Sequence, residues 1–208
     1  MVQDNLKDLL EDKDETEKDE KPITFGSVVL SFFEFLKTVI IIVILAAVIR
    51  LFIIQPFIVD GQSMEPSFQN NDYLITEKIT FKLHEPTRGE IIILRPPDNP
   101  SVNYLKRVIG IPGDTIIIKD GAVTVNDQKI DEPYTDGQKT LTVNGQELKT
   151  TLRDSEFFVM GDNRNHSRDS RELGPIPIQN IVSHVWIRLY PFNQVKIFGT
   201  PKVVSSNY

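Results

Sequence analysis

Tyr104-Leu105-Lys106-Arg107-Val108-Ile109-Gly110-Ile111-Pro112-Gly113-Asp114-Thr115-Ile116-Ile117-Ile118-Lys119-Asp120-Gly121-Ala122-Val123-Thr124-Val125 reads as three strands separated by two turns. The β-branched runs are short, and glycine, proline and aspartate punctuate them. Asp120-Gly121 between Thr115–Lys119 and Ala122–Val125 is a strong hairpin signal. In the first strand, side chains alternate between two faces. Tyr104, Lys106 and Val108 point one way, and Leu105, Arg107 and Ile109 the other.

The same pattern extends in both directions. Asp72–Thr76, Glu90–Arg95, Glu156–Met160 and Val182–Leu189 are further short β-type runs. Asn126-Asp127 and Asn144-Gly145 mark turns. Beyond Phe57 no helical period persists over a comparable length. The expected fold is mainly β: an antiparallel, barrel-like body with an inserted hairpin subdomain at 119–155.

Upstream the chain changes character. Thr38 to Ile54 is apolar except for Arg50, and Phe25 to Leu36 extends it. At about 1.5 Å per helical residue, this nearly crosses a hydrocarbon core of about 30 Å. A transmembrane helix is therefore expected within a membrane segment at 23–56. A cleavable signal peptide fits poorly: the segment starts late, follows an acidic tail and lacks an evident small-residue cleavage site. Lys21 and Lys37 precede the apolar run, and after Arg50 no lysine or arginine appears until Lys78. This bias puts the amino terminus in the cytoplasm and the body outside.

The formal net charge of −6 is unevenly placed. Residues 1–21 hold nine acidic side chains against four lysines. Residues 1–22 are expected to be a disordered, solvated cytoplasmic tail. The remainder is nearly neutral and has no basic stripe, which argues against nucleic acid as a partner. The body is expected over 57–203, followed by a short tail at 204–208. The absence of cysteine excludes disulfides, thiol catalysis and Cys-ligated zinc. His84, His166 and His184 lack a close metal-binding spacing.

Three segments carry candidate chemistry. Ser63, in Val59-Asp60-Gly61-Gln62-Ser63-Met64-Glu65-Pro66, lies nine residues past the apolar run. An extended chain covers at most about 3.3–3.6 Å per residue, so its hydroxyl stays within roughly 30 Å of the bilayer exit. Lys106 and Arg107 are adjacent cations on opposite strand faces. Burial lowers a lysine pKa by up to about 3–5 units, and a neutral Lys106 amine could accept the Ser63 proton. Taken alone, that strand favours the plainer reading, in which Lys106 is exposed and Arg107 is an ordinary ion-pair partner. The third segment, Gly161 to Pro175, is dense in polar groups. It reads as a solvated loop or as a source of hydroxyls and carboxylate–guanidinium pairs beside a site. A histidine from a distant loop completing a Ser-His-Asp set also stays open. Ser63 lacks a G-x-S-x-G elbow, which weakens an esterase reading.

In this order and spacing the segments resemble bacterial type I signal peptidase, a membrane-bound Ser–Lys endopeptidase. The resemblance covers nearly all of Gln55 to about Phe198. It is carried by Gln62-Ser63-Met64-Glu65-Pro66, Asp72-Tyr73-Leu74, Arg88-Gly89-Glu90-Ile91, Tyr104 to Asp114, and Gly161-Asp162-Asn163-Arg164 with Ser167, Asp169-Ser170-Arg171 and Gly174. It implies Ser63 as nucleophile and Lys106 as general base. It also implies that the Ser63 N–H is an oxyanion donor and that Ser167 orients the lysine amine. Asp162 would pair with Arg107 and Asp169 with Arg171. Phe57, Val59, Met64, Phe68, Tyr104 and Leu105 would line shallow pockets for small substrate residues.

No metal or cofactor is implied. The implied partners are preprotein signal peptides, the lipid bilayer and the secretion translocon. The implied location is the bacterial cell membrane, with the catalytic body on the extracytoplasmic side. Two departures stand out. Gly61 occupies a position where some family members carry a second oxyanion hydroxyl, and Asn165-His166 replaces a common Asp-Asn. His166 is expected to be a surface loop residue. Two rivals are weighed against this reading. One is a self-cleaving Ser–Lys repressor-type protease, which should carry a helix-turn-helix instead of a membrane anchor. The other is a catalytically inactive, membrane-anchored β binding module.

Overall fold

The protein is described from a computed structural model covering residues 25–50, 54–78 and 85–198. The expectations for the tails at 1–22 and 204–208, and for His84, lie outside the described residues. By contacts the chain divides into two units, Met1–Ala47 and Val48–Tyr208.

Helix α1 begins at Phe25 and runs to Val48. Leucine, isoleucine, valine and phenylalanine dominate it, and their side chains are mostly exposed. Its polar groups are handled locally. Lys37 reaches Glu34 at 3.4 Å, and the Thr38 hydroxyl donates to the Glu34 carbonyl at 2.9 Å. By length and composition, Val28–Val48 is sufficient to cross a membrane.

The second unit is mainly antiparallel β. Among its described residues the strands form two sheets. The larger has the order β1 (Ile54–Ile58), β2 (Tyr73–Glu77), β11 (Ile181–Tyr190), β3 (Ile91–Leu94), β4 (Tyr104–Gly110), β9 (Glu156–Met160) and β10 (Ile176–Pro177), with β12 (Lys196–Ile197) beside β11. It is curled into a half barrel. The smaller has the order β7 (Gln128–Lys129), β6 (Ala122–Val125), β5 (Thr115–Lys119) and β8 (Leu148–Thr151).

The β9 strand explains how the two sheets share a core. Its side chains alternate faces, and both faces are apolar. Phe157 and Val159 join Ile92, Leu94, Val108, Ile176 and Ile181. Phe158 and Met160 join Ile109, Ile116, Ile118, Val123, Val125 and Leu152. A strand buried on both faces reads as a continuous hydrophobic run. Fully burying each such side chain stabilises by about 1.5–3 kcal/mol. A third cluster, with Val59, Met64, Phe68, Leu74, Ile91 and Val185, lies behind the Ser63 turn.

Two boundaries differ from the sequence reading. Ile54, Gln55 and Pro56, assigned to the membrane segment, open β1 and pair with Glu77, Thr76 and Ile75. Ile53-Ile54 continues an apolar run by composition, and only pairing with β2 separates strand from span. Pro56 is accommodated because β1 is a terminal strand of its sheet. The smaller sheet begins at Thr115, ahead of the expected 119, because β5 pairs with β6 and β8. Asp120-Gly121 and Asn126-Asp127 take the positive-φ turns their residue types favour.

Candidate active site

Ser63 sits in the turn that follows β1. Met64, 1 % exposed, anchors this turn in the core, and the Phe68 N–H closes it onto the Met64 carbonyl at 2.9 Å. The Gly61 N–H donates to the Asn70 side chain at 2.9 Å. From the far side of the chain, the Asn163 N–H donates to the Ser63 carbonyl at 3.1 Å, and Asn163 Nδ2 to the Gln62 carbonyl at 3.1 Å. The backbone on either side of the hydroxyl is thereby fixed.

Strand β4 delivers Lys106 to this turn. Its side chain is 3 % exposed, and Nζ lies 2.8 Å from Ser63 Oγ. Nζ also donates to the Leu105 carbonyl at 2.9 Å and lies 5.1 Å from the Tyr104 ring centre. Burial pushes the lysine pKa from 10.5 down to about 8. The Asp169 and Asp162 carboxylates pull it upward, and Arg171 adds a further downward push. Desolvation wins because the amine has no carboxylate partner of its own.

On the opposite face of β4, Arg107 grips Asp162 at two points, 2.8 and 2.6 Å, and donates to the Gly89 carbonyl at 3.0 Å. Arg171 grips Asp169 at 2.8 and 2.9 Å. Asp169 also caps the short helix α2 (Ser170–Leu173) and accepts the Gly161 N–H at 3.0 Å. These bidentate pairs turn the loop 161–171 into a rigid wall beside Ser63.

A cavity of about 560 Å³ opens over the serine. Phe57, Val59, Met64, Tyr104 and Leu105 line it, as does Lys106. Two expectations are corrected. Phe68 does not line this cavity: it is fully buried behind Met64, its ring 5.0 Å from that of Phe198. The closed turn rotates it inward, which a position five residues after Ser63 does not reveal. Ser167 makes no hydrogen bond to Lys106. Its Oγ is buried without a partner, and a Cβ built on Gly161 would come within 2.3 Å of it. The Leu105 carbonyl is the second partner of the amine instead.

Other lining residues were not anticipated. Leu74 and Ile93 supply apolar wall, and Gln62, Asn103, His166 and Arg168 form polar rim. His166 is an exposed loop residue, its Nδ1 3.3 Å from Asn163 Oδ1. His184 is remote in role: it is buried on β11, with Nδ1 3.0 Å from Glu90.

A mainly antiparallel body with a walled apolar cleft over a serine is a frame for peptide hydrolysis, and the comparisons identify it. Residues 32–190 match the family described as signal peptidase, peptidase S26. The chain is 36 % identical over 173 residues to signal peptidase I of Bacillus licheniformis, covering 80 % of this chain and 92 % of that protein. It is 38 % identical over 176 residues to signal peptidase I S of Bacillus subtilis (strain 168), covering 80 % and 93 %. A crystal structure of a signal peptidase I from Enterococcus faecalis V583 aligns with TM-score 0.42 and 25 % identity, over 49 % of this chain and 97 % of that one. The chain is a peptidase. It belongs to the signal peptidase, peptidase S26 family.

Proposed function

We propose that this chain is a membrane-anchored serine endopeptidase that removes signal peptides from exported preproteins through a Ser63–Lys106 dyad. The observation that carries the reading is the 2.8 Å approach of Nζ to Oγ at an amine whose burial lowers its pKa to about 8. The amine then has a lone pair, and the serine O–H donates to it.

Catalysis proceeds in two halves. Oγ attacks the scissile carbonyl carbon as Nζ takes the serine proton. The Ser63 N–H donates to the developing oxyanion. Collapse breaks the C–N bond, and the lysine ammonium returns the proton to the departing amine. Water, deprotonated by the neutral lysine, then attacks the acyl-enzyme and releases Ser63. Gly61 supplies no side-chain hydroxyl to the oxyanion. Where nothing compensates, such a loss costs about 10²–10³ in turnover.

The substrate binds extended along the cleft and adds a strand beside it. Phe57, Val59, Met64, Tyr104 and Leu105 accept small side chains at the first and third positions before the cut. Helix α1 anchors the enzyme with its amino terminus in the cytoplasm and the body, 57–203, on the extracytoplasmic side. The tether raises the local concentration of substrates whose apolar segment is still in the bilayer.

The test is cleavage of a preprotein by detergent-solubilised full-length enzyme. Ser63→Ala and Lys106→Ala each abolish cleavage while the fold persists. Full activity of folded Lys106→Ala would end the dyad. Binding of preprotein without any cleavage by the wild type would instead leave a binding module.

A further inference from the structure

The inserted subdomain sends one segment, Glu132 to Thr140, against the loop that braces Ser63. The Glu132 carboxylate accepts two bonds from the guanidinium of Arg164, at 2.9 and 2.5 Å. Arg164 is 3 % exposed. It also donates to the Thr140 hydroxyl, and through Nε to the Gly161 carbonyl at 3.0 Å. Burial opposes a charge there, and the Glu132 contact holds the proton on. Tyr134 stands beside this pair. Its hydroxyl donates to Glu132 at 3.0 Å, and its ring centre lies 4.1 Å from the Arg107 guanidinium carbon and 5.9 Å from that of Arg164.

Two arginines on different elements thus share one aromatic ring. Arg107 belongs to the strand that carries Lys106, and Arg164 to the loop whose Asn163 N–H holds the Ser63 carbonyl. Like charges brought this close repel unless each has its own counter-ion and a common π surface. Asp162 serves one guanidinium, Glu132 the other, and Tyr134 both. The loop is drawn to the insert at a second point, where Arg171 donates to the Leu141 carbonyl at 3.0 Å.

We propose that Tyr134 and Glu132 are positioning residues for the reaction: the insert clasps strand β4 and the loop 161–171 together, and so sets the approach of Lys106 to Ser63. This rests on the Ser63–Lys106 reading above. It gives residues 119–155 a task at the site, although none of Glu132, Tyr134 and Thr140 lines the cleft. Because the clasp does not touch substrate, it acts on the chemical step and leaves binding unchanged.

The test is steady-state kinetics of full-length enzyme in detergent, with a signal-peptide-bearing preprotein, on folded samples of Tyr134→Leu, Tyr134→Phe and Glu132→Gln. Misplacing catalytic groups by about an ångström costs up to about 10²-fold, so kcat of Tyr134→Leu falls at least about tenfold while KM stays within about twofold. Tyr134→Phe keeps the shared ring and restores kcat to within about threefold of wild type. Glu132→Gln lowers kcat in the same manner and stands in for the leucine variant should that not fold. A kcat near wild type in the folded leucine or glutamine variant overturns the proposal, as does an equal loss in leucine and phenylalanine. Ser63→Ala is run alongside: if it cleaves, the underlying dyad fails; if it is dead while Tyr134→Leu is fully active, the clasp alone fails.

Discussion

The Asn163 N–H donates to the carbonyl oxygen of Ser63 at 3.1 Å, across a hundred residues of chain, and this contact needs a glycine two residues earlier. A Cβ on Gly161 would sit 2.3 Å from the Ser63 carbonyl oxygen and 2.3 Å from Ser167 Oγ. Neither approach is sterically allowed, and the carbonyl is backbone, so one wall of the site must shift. Gly161→Ala should therefore fold, because the loop keeps its ion pairs, yet lose about 10²-fold in kcat. Circular dichroism alongside turnover checks it. Wild-type turnover in the alanine variant would show that the wall is not rigid.

The pH dependence follows from the buried amine. A lysine with its pKa lowered to about 8 is protonated, and useless as a base, below that value. With Lys106 as the proposed base, kcat/KM should fall on the acid side of pH 8. For a single required deprotonation it falls about tenfold for each pH unit. Measurement of kcat/KM with a preprotein from pH 6 to 10 checks it, and a flat acid limb would remove Lys106 from the role of base.

Much of this arrangement was legible in the sequence, and what was not shares one cause. Thr115–Lys119, Ala122–Val125 and Glu156–Met160 are strands within the expected bounds, because β-branched or aromatic runs between turn residues report their own local geometry. Strand β8 is not legible in its residues: Leu148-Lys149-Thr150-Thr151 has one apolar residue, and its strand character comes from pairing with β5. The buried position of Phe68 and the unpartnered Ser167 hydroxyl depend on the path of the backbone through a tight turn and past a glycine. The contact of Glu132 and Tyr134 with Arg164 and Arg107 joins residues 27 to 32 positions apart, at a spacing with no period to betray it. Local chemistry is written in residue type, whereas tertiary pairing is written only in the fold.

The Arg107–Asp162 pair offers a test with two independent readouts. The Asp162 side chain is fully buried and that of Arg107 is 12 % exposed. Removing one member of a buried pair typically costs about 3–5 kcal/mol, since the other charge is left behind. Asp162→Asn retains an acceptor, so about 3 kcal/mol is expected in denaturant unfolding. The same carboxylate pulls the Lys106 pKa upward. Neutralising it lets the pKa fall further, and the acid limb of kcat/KM moves to lower pH. A shift to higher pH would contradict this electrostatic account of the site.

Burying the Lys106 amine should weaken the fold. In the unfolded chain the amine titrates near 10.5, and in the folded protein near 8. Between those values the unfolded state binds more protons, so stability rises with pH from about 8 to 10.5. Below pH 8 both states are charged, and the penalty is fully present and constant. Its size is on the order of 3 kcal/mol, at 1.36 kcal/mol for each unit of pKa difference. Lys106→Met keeps the length of the side chain and removes the charge. At pH 7 it should unfold at higher denaturant concentration than wild type, by up to about that amount, while cleaving nothing. The advantage should shrink as the pH is raised toward 10. A methionine variant less stable than wild type at pH 7 would mean that the ammonium is well solvated where it stands, and the reason for its lowered pKa would be lost.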